Sequence, residues 1–130
     1  MKRRGAADFL VVCLCAEWCK SCREYRPDFD ALSASVEGAD FRWVDIEEHA
    51  DAMGELDIVD FPTLLVFRGE YVLFFGPMTP HSERLRRLLE TFAAQTTSES
   101  RDYATSSPDR AAWQTNGDLS GIRRRETGDR

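Results

Sequence analysis

The sequence has little positive charge and no long apolar run. Its 17 Lys and Arg residues are outnumbered by 23 Asp and Glu residues, which gives a formal net charge of −6. Nucleic acids and anionic membrane surfaces attract basic proteins, so we predict neither as a partner. No stretch approaches the roughly 20 consecutive apolar residues that cross a bilayer, so no membrane span is predicted.

Cysteines are few, and all four lie close together, as Cys13, Cys15, Cys19 and Cys22. A secreted disulfide framework distributes its cysteines along the chain in order to join distant loops. Clustering of this kind instead indicates redox or metal chemistry at one place.

The N-terminus resembles a signal peptide only weakly. A basic start at residues 1–4 is followed by an apolar run from Phe9, but that run is short and Asp8 interrupts its approach. Cleavage near Ala16 would also remove the strand that leads to Cys19. We therefore expect a cytoplasmic protein, with export through a short N-terminal signal as the alternative.

Residues 1–94 show the periodicity of one α/β domain. The continuous apolar run Phe9–Cys15 predicts a strand that is buried on both faces. From Cys19 onward, Tyr25, Phe29 and Leu32 recur at spacings of four and three, which predicts an amphipathic helix. The remaining predicted elements are strands at 41–46, 63–67 and 71–75, a short helix at 49–56, and a last helix from about Pro80 to Ala94.

The predicted order is therefore β-α-β-α-β-β-α. Right-handed crossovers put the first strand parallel to the second, with the third strand on the first strand's other side. This predicts a four-stranded mixed sheet with helices on both faces, and a site at the carboxyl end of a central strand.

Residues 95–130 have a different composition, dominated by Ser, Thr, Gly and charged side chains. Trp113, Leu119 and Ile122 are isolated apolar residues in this stretch. A segment with so little apolar surface to bury cannot offset its ordering entropy, so we expect a polar, disordered tail.

The stretch Trp18-Cys19-Lys20-Ser21-Cys22 joins the first strand to the first helix. A sulfur at a helix N-terminus lies near unpaired backbone N–H groups and the positive end of the helix dipole, which favour the thiolate. Lys20 adds a cation beside it. We therefore expect Cys19 to be the reactive nucleophile and Cys22 to form a redox-active disulfide with it.

These residues resemble the thioredoxin family. Residues 16–22 are similar to its active-site stretch, Pro27 to its helix-interrupting proline, residues 61–64 to its cis-proline loop, and Gly76 to a glycine after its last strand. The resemblance implies a thioredoxin-like three-layer α/β/α fold. It also implies a cis Pro62 facing Cys19, protein disulfide or dithiol substrates, and recycling by a thioredoxin-reductase-like partner without a cofactor. The substrate-binding residues that it implies are Trp18, Phe61, Pro62 and Gly76.

Several features depart from the family pattern. The family's opening strand and helix have no counterpart, which leaves one sheet edge exposed or covered by the tail or a partner. Lys20-Ser21 replaces the usual Gly-Pro, which alters the reduction potential. Cys13 stands where the family has a buried Asp, and Trp43 where it has the paired Lys. Glu17 or water would then assist Cys22.

The favoured function is a thiol–disulfide oxidoreductase that exchanges disulfides with protein substrates through Cys19 and Cys22. One alternative is a non-catalytic peptide-binding or chaperone-like module that uses the Pro62 groove. A second alternative is a metal site formed by the four sulfurs, because four thiolates suit tetrahedral zinc or an iron–sulfur cluster. His49 and His81 lie in polar surroundings and are predicted to be surface residues rather than ligands.

Overall fold

A computed structural model of the chain describes residues 8–56, 58–78 and 81–128. The predicted order β-α-β-α-β-β-α is confirmed, and three further helices follow it. The predicted polar lead at residues 1–7 and the predicted helix start at Pro80 lie outside the described residues. The elements are β1 (Phe9–Cys15), α1 (Lys20–Ser35), β2 (Ala39–Asp45), α2 (Ala50–Met53), β3 (Thr63–Arg68), β4 (Tyr71–Pro77), α3 (Ser82–Ala93), α4 (Thr97–Ala104), α5 (Pro108–Gln114) and α6 (Gly117–Thr127).

The sheet has four strands in the order β2-β1-β3-β4. β1 runs parallel to β2 and antiparallel to β3, and β3 and β4 form an antiparallel hairpin. The predicted four-stranded mixed sheet is confirmed. β1 and β3 are the two central strands, so α1 follows a strand in the middle of the sheet.

Every residue of β1 is buried, and alternate side chains contribute to different apolar clusters. This follows from the two-residue period of a strand, which directs successive side chains to opposite faces. Cys13 and Cys15 lie on the face covered by α1 and α3, whereas Leu14 lies on the opposite face. The first face also receives Tyr25, Phe29, Leu32, Leu85, Leu89 and Phe92.

The observed bounds of α2 and β4 differ from the predicted ones. α2 is shorter than the predicted 49–56, because Gly54 takes a positive φ of 60° directly after Met53, which a helix does not allow. β4 continues through Gly76, which pairs with Leu64, instead of ending before it. Pro77 is tolerated there because β4 is an edge strand.

The prediction of a disordered tail is wrong, because residues 97–127 form α4, α5 and α6. Each helix begins with a side-chain cap: Thr96 and Glu99 form a capping box, and Ser107 and Asn116 accept bonds from the backbone of the next helix. Leu119 and Ile122 are buried on the sheet face opposite α1. The tail is ordered because Leu119 and Ile122 bury their apolar surface against a sheet that the rest of the chain builds.

Arg68, at the end of β3, connects the sheet to the start of this helical extension. Its Nη1 donates to the carbonyls of Phe92 and Gln95 and to Oγ of Ser100, at 2.9 to 3.2 Å. Its Nη2 lies 2.9 Å from the Asp8 carboxylate. One guanidinium therefore joins the sheet, the end of α3 and α4.

Gln114 covers part of the β4 edge. Its Nε2 donates to the Val72 carbonyl at 2.8 Å, and its Oε1 accepts from the Val72 N–H at 2.9 Å. The side-chain amide thus takes the place of a neighbouring strand. The tail therefore covers the β4 edge at this residue, while β2 forms the other edge of the sheet.

α6 docks on α2 at Gly54. The Asp118 carboxylate accepts a bond from the backbone N–H of Glu55 at 3.0 Å, and a Cβ added at Gly54 would collide with it. Glycine is required here both for its positive φ and for this close approach. Among the residues described, no helix has both the length and the apolar composition to cross a membrane.

Shortening Leu119 to alanine tests whether α6 is part of the folded core. Leu119 is fully buried, so we expect Leu119→Ala to lower the free energy of unfolding by about 2–5 kcal/mol, measured by urea denaturation. The control is Arg124→Ala, an exposed position on the same helix, which should change it by less than about 0.5 kcal/mol. Equal midpoints for both variants and the unmodified protein would contradict the docked arrangement.

Candidate active site

Cys19 lies at the N-terminus of α1, as predicted. It is the N-cap residue, with extended backbone angles of −84° and 120°, and its carbonyl accepts the first helical bond from the Arg23 N–H at 3.1 Å. Its thiol is free and partly exposed. The position therefore combines access to solvent with the positive end of a 16-residue helix dipole.

The structure pairs the cysteines differently from the predicted Cys19–Cys22 disulfide. Cys22 is bonded to Cys15, with a Cα–Cα distance of 5.9 Å, and Cys19 is free. The predicted pairing is therefore not the one observed. Whether Cys19 and Cys22 act together in catalysis is a separate question and stays a prediction.

The packing of α1 explains this pairing. Cys22, Tyr25, Phe29 and Leu32 are the buried residues of α1 and recur at spacings of three, four and three, so they share one helix face. That face covers the side of the sheet to which the last residue of β1, Cys15, also points. Cys22 is therefore directed at Cys15, whereas Cys19 precedes the helix and lies outside this stripe.

Sequence reasoning missed the redox-relevant position of Cys15. The apolar run Phe9–Cys15 predicted a buried strand and did not distinguish Cys15 from Cys13. A signal was nevertheless present, because Cys15 ends the strand that feeds α1 and Cys22 is the first residue of the apolar helix stripe. Short strand-to-helix connections bring such residues within the Cα–Cα range of a disulfide.

Cys13 is a buried free thiol whose sulfur lies 3.6 Å from the sulfur of Cys15. Burial raises the pKa of Cys13 well above its ordinary value, and the charge of Arg26 opposes this only in part. Burial likewise raises the pKa of Tyr25, with smaller contributions from Cys13 and Asp28. The interior beneath the site is therefore kept uncharged at neutral pH.

An aromatic surface lies beside Cys19. Trp18 is 61% exposed, and its ring meets that of Phe61 edge to face at a centroid distance of 5.5 Å. Its Nε1 donates to the Glu47 carboxylate at 2.8 Å, which fixes the ring orientation. The structure thus brings together the two aromatic residues that were predicted to bind substrate.

The peptide bond between Phe61 and Pro62 is cis, as the family resemblance implied. Pro62 is buried, and its carbonyl accepts a bond from the Met78 N–H at 3.1 Å. Thr63 Oγ1 donates to the Asp60 carbonyl at 2.6 Å and closes the loop before the proline. Predicted substrate binding by Pro62 is not tested by these contacts.

The remaining predicted site residues are Gly76, Lys20 and Glu17. Gly76 lies in β4 and pairs with Leu64 of β3, which follows Pro62 by two residues. The ammonium of Lys20 lies 3.7 Å from Glu24 one helical turn away, in a pair that is mostly exposed and therefore weak. Glu17 is exposed, and its backbone carbonyl accepts a bond from Arg23 at 2.8 Å. Tuning of the thiol by Lys20 and Glu17 stays a prediction.

A cleft of about 760 Å³ opens along α1 and has Cys22 in its lining. Its walls also include Arg26, Trp43 and His49, and the guanidinium of Arg26 lies 4.8 Å from the centre of the Trp43 ring. The side chain of Arg125, in α6, contacts the His49 ring. The helical extension therefore reaches the rim of this cleft.

The four sulfurs do not form a metal site in this structure. Cys15 and Cys22 are bonded to each other. Across residues 8–56, 58–78 and 81–128, no group of three or more His, Cys, Asp or Glu side chains is arranged to hold a metal ion.

A mixed four-stranded sheet, a thiol at the start of the helix that follows the central strand β1, and a cis-proline directly before β3 together define a thioredoxin-like α/β protein. The family model described as thioredoxin matches residues 3–94, which is most of the chain. The chain therefore belongs to the thioredoxin family.

Curated relatives are similar over part of their length. Thioredoxin domain-containing protein 8 of Mus musculus is 31% identical over 80 residues, which cover 62% of this chain and 58% of that protein. A thioredoxin of Staphylococcus aureus is 33% identical over 54 residues, which cover 41% of this chain and 52% of that protein. The chain thus spans about half the length of the curated relatives it matches.

The solved structure of Fasciola hepatica thioredoxin superposes with a TM-score of 0.60 at 21% identity, covering 67% of this chain and 83% of that one. At this identity the superposition shows the fold alone.

The raised pKa of Cys13 predicts a loss of stability at alkaline pH. Above about pH 9, the ordinary value for the thiol, the unfolded chain releases this proton while the folded protein retains it. The free energy of unfolding therefore falls as pH rises, at a rate approaching about 1.4 kcal/mol per pH unit for this group.

Urea denaturation of the unmodified protein and of Cys13→Ala between pH 8 and 10.5 measures this contribution. The substitution removes the Cys13 component, so its curve should decline less steeply above pH 9, whatever constant offset the smaller side chain adds. Parallel curves over this range would show that Cys13 ionises equally in the folded and unfolded states.

Proposed function

We propose that this protein is a thiol–disulfide oxidoreductase that exchanges disulfides with protein substrates. The observation that carries the proposal is a free, partly exposed thiol at Cys19 at the start of α1, one helical turn from Cys22, whose sulfur already takes part in a disulfide. Family membership supports this class of chemistry.

In the reduced protein the proposed reaction begins at Cys19. Its thiolate attacks one sulfur of a substrate disulfide, a mixed disulfide forms, and one substrate sulfur leaves as a thiolate. Cys22 then attacks the Cys19 sulfur, which releases the second substrate thiolate and transfers the disulfide to the protein. Two electrons pass from the protein to the substrate.

The surface formed by Trp18 and Phe61, beside the buried Pro62, would hold the substrate. Two aromatic rings in contact offer apolar area, and the loop before a cis-proline offers backbone groups that can pair with an extended peptide. We extend the proposal to a cytoplasmic location and to recycling by a thioredoxin-reductase-like partner.

An insulin-reduction assay with Cys19→Ser tests the proposal. A serine oxygen does not exchange with disulfides, so we expect the turnover rate to fall by more than about 100-fold. The matched control is Cys13→Ala, which removes a buried thiol of the same cluster and should retain turnover within about threefold, because a buried thiol does not reach the substrate.

A protein that does not reduce insulin, or a Cys19→Ser variant as active as the unmodified protein, would refute catalysis. Retained binding of an unfolded peptide without turnover would instead favour the non-catalytic peptide-binding module.

A further inference from the structure

Three cysteines around the start of α1 are arranged in series. Cys15 and Cys22 are each about 1% exposed and carry the disulfide, whereas Cys19 is free and partly exposed. In the proposed reaction, reduction of the substrate leaves the protein with a Cys19–Cys22 disulfide. The observed disulfide also contains Cys22, but its second sulfur is that of Cys15 instead of Cys19.

We propose that Cys15 is a third redox cysteine, which takes the disulfide from the substrate-facing pair into the protein interior. This inference rests on the proposed function. The Cys15 thiolate attacks the Cys22 sulfur of the Cys19–Cys22 disulfide, the Cys15–Cys22 bond forms, and Cys19 leaves as a thiolate. The step is an isomerisation that needs no oxidant or reductant, and the Cys15 proton passes to solvent or to Cys19.

The geometry favours this direction. Cys22 belongs to the buried stripe of α1 and faces the end of β1, so its sulfur meets Cys15 without leaving the core. Cys19 leaves from the N-cap of a 16-residue helix, where the positive end of the helix dipole favours a negative charge.

Cys13 is placed beside this relay but outside it. Its sulfur lies 3.6 Å from that of Cys15, within range of a weak S–H hydrogen bond. Its thiol is free in this structure, because Cys15, at the end of β1, is the residue that bonds to Cys22. It therefore serves as a matched control cysteine on the same strand face.

The relay changes what the oxidised protein can do. With the disulfide held between Cys15 and Cys22, Cys19 is again a free nucleophile at the substrate surface. It can attack a further substrate disulfide and be released by a thiol of that same substrate. The substrate's disulfides are then rearranged with no net transfer of electrons.

Disulfide mapping of the full-length protein tests the relay. The reduced protein is oxidised with a small excess of oxidised glutathione, quenched in acid after set times, labelled with N-ethylmaleimide and mapped by mass spectrometry. We expect Cys19–Cys22 at early times and Cys15–Cys22 with labelled Cys19 at late times. In Cys15→Ser the late labelling of Cys19 should fall at least about tenfold, since Cys15 is the protein thiol placed to displace it from Cys22. Cys13→Ala should map like the unmodified protein.

The map of the unmodified protein is decisive even if Cys15→Ser folds poorly. A late product with Cys19–Cys22 and unlabelled Cys19, or one with a Cys13–Cys15 bond, would overturn the relay. If the protein reduces insulin but gives such a map, the proposed oxidoreductase function is retained and only the relay is refuted. The observed Cys15–Cys22 map without insulin reduction would refute the proposed function and, with it, the relay's catalytic role.

Discussion

The contact between the buried face of α1 and β1 is the constraint on which the site depends. A strand directs alternate side chains to one face, and a helix directs every third or fourth residue to one stripe. Where these two patterns meet, Cys15 and Cys22 face each other and Cys19 lies just beyond the packed interface. The division between a buried disulfide and an accessible thiol is therefore a result of packing, at a position where the chain leaves the sheet's interior.

The second layer of the fold is completed from the C-terminal end of the chain. α2 is only four residues long, too short to cover the apolar sheet face that includes Leu10, Val12 and Leu65. Leu119 and Ile122 of α6 pack on that face, and Gly54 allows α6 to approach closely. The extension also reaches the active-site side, because Arg125 contacts His49 at the rim of the cleft that Cys22 lines. An element that stabilises the sheet thus forms part of the surroundings of the disulfide.

Local patterns were sufficient for most of the ordered domain. The apolar run of β1 and the spacing of Tyr25, Phe29 and Leu32 specified their elements because burial selects the same periodicity that the backbone imposes. The ends of α2 and β4 were less well predicted, because a glycine can end an element or continue it. Gly54 ends α2, whereas Gly76 continues β4. The helices after Gln95 were missed because their stability comes from a surface that other parts of the chain build.

The sequence by itself determined the α/β order, the four-stranded mixed sheet and the location of a thiol at the start of a helix. The element order and the thiol position depend on residues close together in the chain, and the sheet follows from that order through the right-handed crossover rule. Only the tertiary structure decided which sulfur bonds to Cys22, that Trp18 lies against Phe61, and that residues 97–127 form three helices. These features depend on which faces of the helices and strands pack together. The sequence pattern identifies the apolar face of each element, but not the element against which that face packs.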